Sequence, residues 1–128
     1  MPFLFLRKQE VLDVQAKSIA AFGGIHGLRD KGALESALVA AENREYYENA
    51  DLAICAATYA YHLAQAHAFV DGNKRVAAAV AEIFLEINSA RLNATNDEVI
   101  RLFLDIAAGI MARHEVEQRF LQRVEPSA

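Results

Sequence analysis

Apolar residues recur at helical spacing along most of the chain, and the breaks between them fall on residues that cap helices. From Arg7 to Phe22, the positions Val11, Val14, Ile19 and Phe22 fall roughly on one face, and Gly23-Gly24 ends the run as a C-terminal glycine cap does. A loop leads to Asp30, a good N-cap for a second helix through about Asn43, striped by Leu34, Ala37, Leu38 and Ala41. The stretch Arg44 to Ala50, polar and aromatic with Tyr46-Tyr47 at its centre, reads as a loop. Asp51 caps a third helix reaching about Ala66, and a fourth runs from near Gly72 to about Asn88 through Val76, Val80, Ile83, Phe84 and Ile87. Both are apolar on most sides, which marks central helices. A fifth spans roughly Asn96 to Ala108 with Val99, Leu102, Phe103 and Ile106, and a sixth about His114 to Val124 with Val116, Phe120 and Leu121. Phe3-Leu4-Phe5 and Arg91-Leu92 are weak strand candidates. The pattern predicts an all-α protein, a compact bundle of about six helices around two central apolar helices.

Composition narrows this further. The only prolines, Pro2 and Pro126, sit at the ends, so nothing in the body forbids long helices. At 128 residues with no repeat, linker or low-complexity tract, one domain over 1–128 is expected. Such a chain buries roughly two-thirds of its unfolded surface and needs no disulfide. The single cysteine, Cys55, lies in an apolar run and reads as a small core residue, in keeping with a reducing compartment. The apolar stretches Leu52 to Ala66 and Val76 to Ile87 fall short of the roughly 20 residues a membrane span needs. Met1 to Arg7 is too short for a signal core. A cytoplasmic protein with no membrane role is expected. The balance of 13 basic against 17 acidic residues, −4 net, argues against direct contact with nucleic acid as the main function.

One segment departs from its surroundings. His67-Ala-Phe-Val-Asp-Gly-Asn-Lys-Arg75 joins the two central helices and gathers five polar side chains into nine residues. Polar groups removed from water without partners cost several kcal/mol, so their crowding at such a junction suggests a shared ligand. Asp71-Gly72-Asn73 opens a helix whose free N–H groups favour an anion such as phosphate. Gly72 leaves room for a close approach, and Lys74 and Arg75 add charge, Arg75 with a fork that fits phosphate oxygens. Asp71 is a candidate Mg²⁺ ligand and His67 a candidate base towards a hydroxyl, while Phe69 anchors the loop in the core. The plainer reading is a cap and a turn with His67 at the surface. The glycine patterns of other phosphate-binding loops are absent.

HAFVDGNKR resembles the signature of the Fic/Doc family, His-x-Phe-x-(Asp/Glu)-x-Asn-(Gly/Lys)-Arg, matched at His67, Phe69, Asp71, Asn73, Lys74 and Arg75. The stretches Phe22-Gly23-Gly24 and Gly27 to Leu38 are similar to the Doc, or death-on-curing, branch, and the likeness covers about residues 7 to 90. The resemblance implies a Fic/Doc-like helical fold and an ATP- and Mg²⁺-dependent transferase acting on protein hydroxyls. His67 would be the base, Asp71 the Mg²⁺ ligand, and Asn73, Lys74 and Arg75, beside Gly72, the phosphate grip. For the Doc branch it implies a toxin that moves the γ-phosphate of ATP to a Ser or Thr hydroxyl, with a translation elongation factor such as Tu as the target. An antitoxin tail would cover the active-site groove. Fic proteins proper transfer the adenylyl group, and their form reads roughly HPFxxGNGRxxR. Here Ala68 stands for the proline, Lys74 for a glycine and Ala78 for the last arginine, which points to Doc, whereas Gly72 is shared with Fic. A non-catalytic antitoxin-binding module is the reading from another class. No inhibitory (Ser/Thr)-x-x-x-Glu-(Gly/Asn) pattern is visible, since Leu38 stands four residues before Glu42-Asn43.

Two further features stand apart. His62, in an apolar helix, is expected to be a hydrogen-bonded core residue. Tyr46 and Tyr47 fall where the family's fold can form a flap that docks a target peptide, against a plain packing role.

Overall fold

The computed structural model describes residues 3–127; Met1 and Pro2, at the start of the short apolar N-terminal stretch, and Ala128 lie outside the described residues. Six helices follow one another: α1 Lys8–Phe22, α2 Lys31–Glu48, α3 Leu52–Ala66, α4 Asn73–Ile87, α5 Asn96–Ala107 and α6 Arg113–Arg123. A two-stranded antiparallel ribbon, β1 Ala90–Leu92 with β2 Val124–Pro126, clips the chain end to the exit of α4.

Most boundaries follow local chemistry. Asp30 and Asp51 accept from the N–H groups of Ala33 (3.0 Å) and Ile54 (3.1 Å), each satisfying a donor that the first helical turn leaves free. At α5 the exchange is reciprocal: Thr95 Oγ1 accepts from the Glu98 N–H, and Glu98 Oε1 accepts from the Thr95 N–H. Asn49 closes α2 in the left-handed conformation at φ 51°.

The expected core is present, with α3 at its centre. Cys55, Ala56, Ala57, Tyr59, Ala60, Leu63 and Ala64 are all buried, because α3 packs against α2, α4, α5 and α6 at once. Its alanines keep those neighbours close, and Tyr59 supplies the bulk. The Tyr59 ring meets Phe84 edge-on at 5.1 Å, Phe5 stacks on Phe84 at 5.3 Å, and the Tyr59 hydroxyl accepts from the Leu6 N–H. Cys55 is free and buried, and burial pushes its thiol up to about 12, so it is inert packing. Among the described residues no helix is long and apolar enough to cross a membrane.

The structure corrects the sequence pattern in four places. Arg44 to Ala50 is not a loop: α2 continues through Glu48. Arg44 faces inward there, bonding Glu117 Oε2 at 2.7 Å, Glu48 Oε1 at 3.2 Å and Thr58 Oγ1 at 3.4 Å, so polar residues extend the helix where apolar periodicity stops. Arg91-Leu92 is a strand as expected, but its partner is Val124–Pro126, so Val124 leaves α6, and Phe3-Leu4-Phe5 pairs with no strand among the described residues, its Leu4 main chain bonding the Asn88 side chain instead. Phe22, placed on the apolar face of α1, is 72% exposed, and Ile87 and Leu121 are also exposed. His62 is half-buried, with its ring edge-on to Tyr61 and no hydrogen bond among the described residues.

Candidate active site

The segment between α3 and α4 is shaped by two left-handed residues. His67 ends α3 at φ 49°, and Gly72 precedes α4 at φ 79°. A non-glycine residue in that region is strained, and such strain tends to collect at functional sites. Between them Phe69 is buried. The side-chain amide of Asn73 grips Phe69 from both sides: Oδ1 accepts from its N–H and Nδ2 donates to its carbonyl, each at 3.0 Å. What Asn73 offers a ligand is therefore its main-chain N–H.

A second segment, residues 23–30, holds the loop from outside. The Ala68 carbonyl accepts from the N–H groups of Arg29 (2.7 Å) and Asp30 (2.9 Å), and the Val70 N–H donates to Gly27 (3.1 Å). Asp71 is fixed by the same segment, since its Oδ2 accepts from the Ile25 N–H at 2.7 Å. Gly24 makes that approach feasible, because a Cβ there would lie 3.2 Å from the Asp71 Cβ on a backbone at φ 110°.

These elements enclose a cleft of about 400 Å³ lined by Ala64, His67, Val70, Asp71, Gly72, Asn73, Lys74, Arg75 and Ala107. The polar residues singled out from the motif thus share one wall. Val76 N–H donates to the Gly72 carbonyl as the first hydrogen bond of α4, which leaves the N–H groups of Asn73, Lys74 and Arg75 without acceptors among the described residues. Three free donors, the helix dipole and two cationic side chains are features that favour an anion. Lys74 has no ion pair among the described residues. Arg75 donates to the Gly23 carbonyl (3.1 Å) and lies over the Phe22 ring, 5.3 Å from its centroid.

Tyr46 and Tyr47 are not brought to this cleft. Asp30, bonded to Ala68, sets the start of α2 beside the motif, and Tyr46 lies about 22 Å further along the helix axis at 1.5 Å per residue. The pair is exposed, at 78% and 75%, and packs edge-to-face at 4.8 Å.

The match to the Fic/DOC family model covers residues 5–85, which takes in the whole cleft-forming loop. That settles the family. The chain belongs to the Fic/DOC family. Two curated relatives agree. The chain is 33% identical over 85 residues to the Protein kinase doc of Escherichia phage P1, covering 66% of this chain and 68% of that protein. It is 40% identical over 87 residues to the Toxin Doc of Mycolicibacterium smegmatis, covering 66% and 67%. Within this Fic/DOC fold, sequence patterning alone missed Gln15, whose buried amide reaches the motif loop, and Ile25, whose N–H holds Asp71. Neither carried a signal, because one acts from an apolar helix face and the other through its backbone. Gly24 did carry one, as part of Phe22-Gly23-Gly24.

Proposed function

We propose that this protein transfers the γ-phosphate of ATP to a Ser or Thr hydroxyl of a protein, as the toxin of a toxin–antitoxin pair. The observation that carries the reading is a cleft in which an imidazole, a carboxylate and two cations with no ion pair among the described residues lie at the open N-terminus of α4. The names of the two relatives, a protein kinase and a toxin, support it. A translation elongation factor is the target class that the Doc resemblance implies, and the cytoplasm is where such a target is met.

The donor set fits a nucleotide with Mg²⁺. Asp71 keeps one carboxylate oxygen clear of protein donors among the described residues, a hard ligand of the kind Mg²⁺ shares with phosphate oxygens. No group of three or more His, Cys, Asp or Glu among the described residues could hold a metal, so a metal here would share phosphate ligands. When bound, Mg²⁺ would offset phosphate charge. The N–H groups of Asn73, Lys74 and Arg75 bind the γ-phosphate at the helix end. His67 takes the proton of the attacking hydroxyl as its oxygen bonds to phosphorus. The bond from that phosphorus to the bridging oxygen breaks and ADP leaves with the electron pair, while Lys74 and Arg75 offset the charge that builds up.

Phosphoryl transfer is preferred to adenylyl transfer on the surroundings of residue 78. Ala78 lines a slot of about 160 Å³ with Val99, Ile100, Phe103 and Leu104, beside Lys74 and Arg75, where the Fic form carries a second arginine. Position 78 itself adds no cation for the outer phosphates of a nucleotide. Ile100 and Leu104 are exposed on its lip, which suits the apolar face of an antitoxin tail. Intact-mass analysis of a modified target decides the chemistry. A phosphate increment with ADP released is expected; an AMP increment overturns the assignment.

A further inference from the structure

Only two polar side chains are buried among the described residues, Gln15 and Thr58. Thr58 is accounted for by its helix and the Arg44 network, since its hydroxyl donates to the Ile54 carbonyl at 2.7 Å and accepts from Arg44. Gln15 has no such local use. It sits one turn after Val11 on the inward face of α1, a position at which a leucine or methionine would add core volume without burying an amide. Its Nε2 reaches out of that face and donates to two main-chain carbonyls, Asp71 at 3.2 Å and Ile25 at 3.4 Å. Those two residues are joined in turn by the Ile25 N–H on the Asp71 carboxylate at 2.7 Å.

Gln15, Ile25 and Asp71 therefore close a ring of hydrogen bonds from three separate elements: α1, the 23–30 segment and the motif loop. The ring fixes Asp71 at both main chain and side chain, immediately before Gly72 turns the backbone into α4. The geometry points to Gln15 as a positioning residue of the transferase site. It holds Asp71 so that one carboxylate oxygen is spent on Ile25 and the other is presented to the metal, and it sets the angle at which the N-terminus of α4 meets the phosphate. Gln15 does not touch the cleft itself. This inference rests on the nucleotide reading above, because presentation of a carboxylate matters only if a metal–phosphate ligand binds there.

Gln15→Met keeps the shape and removes the donor. Two measurements on the full-length protein separate a positioning role from simple packing. The first is hydrogen exchange of the Ile25 amide in the ligand-free protein, below the melting range of the variant. Protection at Ile25 should fall about tenfold or more while amides of α3 keep theirs. The second is ATP binding by calorimetry across a Mg²⁺ titration. The Mg²⁺ concentration needed for half-maximal affinity should rise about tenfold, and saturating Mg²⁺ should recover most of the affinity. Should Gln15→Met fail to fold, Gln15→His, which keeps an N–H donor of similar reach, should give intermediate values in both assays, and wild-type Mg²⁺ dependence together with lost Ile25 protection would count against the proposal. Unchanged Ile25 protection, or an unchanged Mg²⁺ midpoint, in a folded Gln15→Met overturns it. A wild-type protein that binds no Mg²⁺–ATP sinks the nucleotide reading and this inference together, whereas wild-type binding that Gln15→Met leaves intact sinks the inference alone.

Discussion

Two polar clusters flank α3, and they differ in how their charges are settled. One joins α2, α3 and α6: Arg44 meets Glu117 and Glu48, Arg113 reaches the same Glu117 at 3.5 Å, and Thr58 adds a hydroxyl. Cations there are matched by carboxylates within the protein. The other cluster sits at the C-terminal end of α3, where His67, Lys74 and Arg75 face a cleft beside helix N–H groups that also carry partial positive charge. Among the described residues its one carboxylate, Asp71, bonds the Ile25 backbone, and Arg75 has only a carbonyl and an aromatic face. A cluster that balances itself holds the fold together. A cluster left positive in a cleft is one that a ligand rich in negative oxygen would balance.

His67 offers the sharpest way to break that contrast. His67 belongs to the unbalanced cluster, and removing it as His67→Ala should cut target modification by about 10²–10⁴-fold, the usual contribution of a positioned base. The melting temperature should stay within a few degrees, because His67 is exposed and already bears the cost of a left-handed backbone. Transfer at the wild-type rate would remove His67 from the chemistry.

The balanced cluster should answer in the opposite currency. Glu117→Ala leaves Arg44 with Glu48 alone and Arg113 without its carboxylate, a loss of about 3 kcal/mol for a mostly buried pair, or a fall on the order of 10 °C in Tm. The activity of the folded fraction should be unchanged. Replacing both partners, Arg44→Met with Glu117→Leu, should recover much of the stability by removing the orphaned charge. If the double variant melts no higher than the single one, the network is not a charge-pair effect.

Lys74 lies between these extremes, exposed yet in the cleft wall. Lys74→Gly should lower phosphoryl transfer on the order of tenfold to a hundredfold, less than the roughly 10²–10³ lost with a buried donor. Its effect on Tm should be limited to the helix propensity of one exposed residue, about 1 kcal/mol or less in the first turn of α4. Steady-state rates with saturating target decide it, and a rate equal to wild type would take Lys74 out of the phosphate grip.

The smallest effect belongs to His62. Burial holds its imidazole below the ordinary value; Arg113 and Arg44 add to that, and Glu117 opposes it. The unfolded chain therefore takes up a proton first as pH falls. Stability contributed by neutral His62 is present above the unfolded pKa of about 6.5 and declines below it, until the folded form protonates as well. His62→Gln should flatten the slope of Tm between about pH 7.5 and about pH 5. An unchanged slope would place the pH dependence elsewhere.

The sequence by itself determined that six stretches are helical, that α3 and α4 are central, and that polar side chains gather between His67 and Arg75. Those features are local: apolar periodicity, Asp and Thr caps, glycines and a contiguous motif are all written within a few residues of one another. The tertiary structure decided what depends on partners far away in the chain. It extended α2 through Glu48 because Glu117, remote in sequence, gives Arg44 a reason to face inward, and so carried Tyr46 and Tyr47 away from the cleft. It paired Arg91-Leu92 with the chain end, and it exposed Phe22 beneath Arg75, although the periodicity of α1 placed that ring inside. It also turned Asn73 inward onto Phe69 and brought Gln15 and Ile25 to Asp71 across 56 and 46 positions. A side chain's periodicity says which face of its helix it occupies; only the packed neighbours say which distant polar groups are waiting there, because a hydrogen bond needs its partner within about 3 Å and sequence carries no such distance.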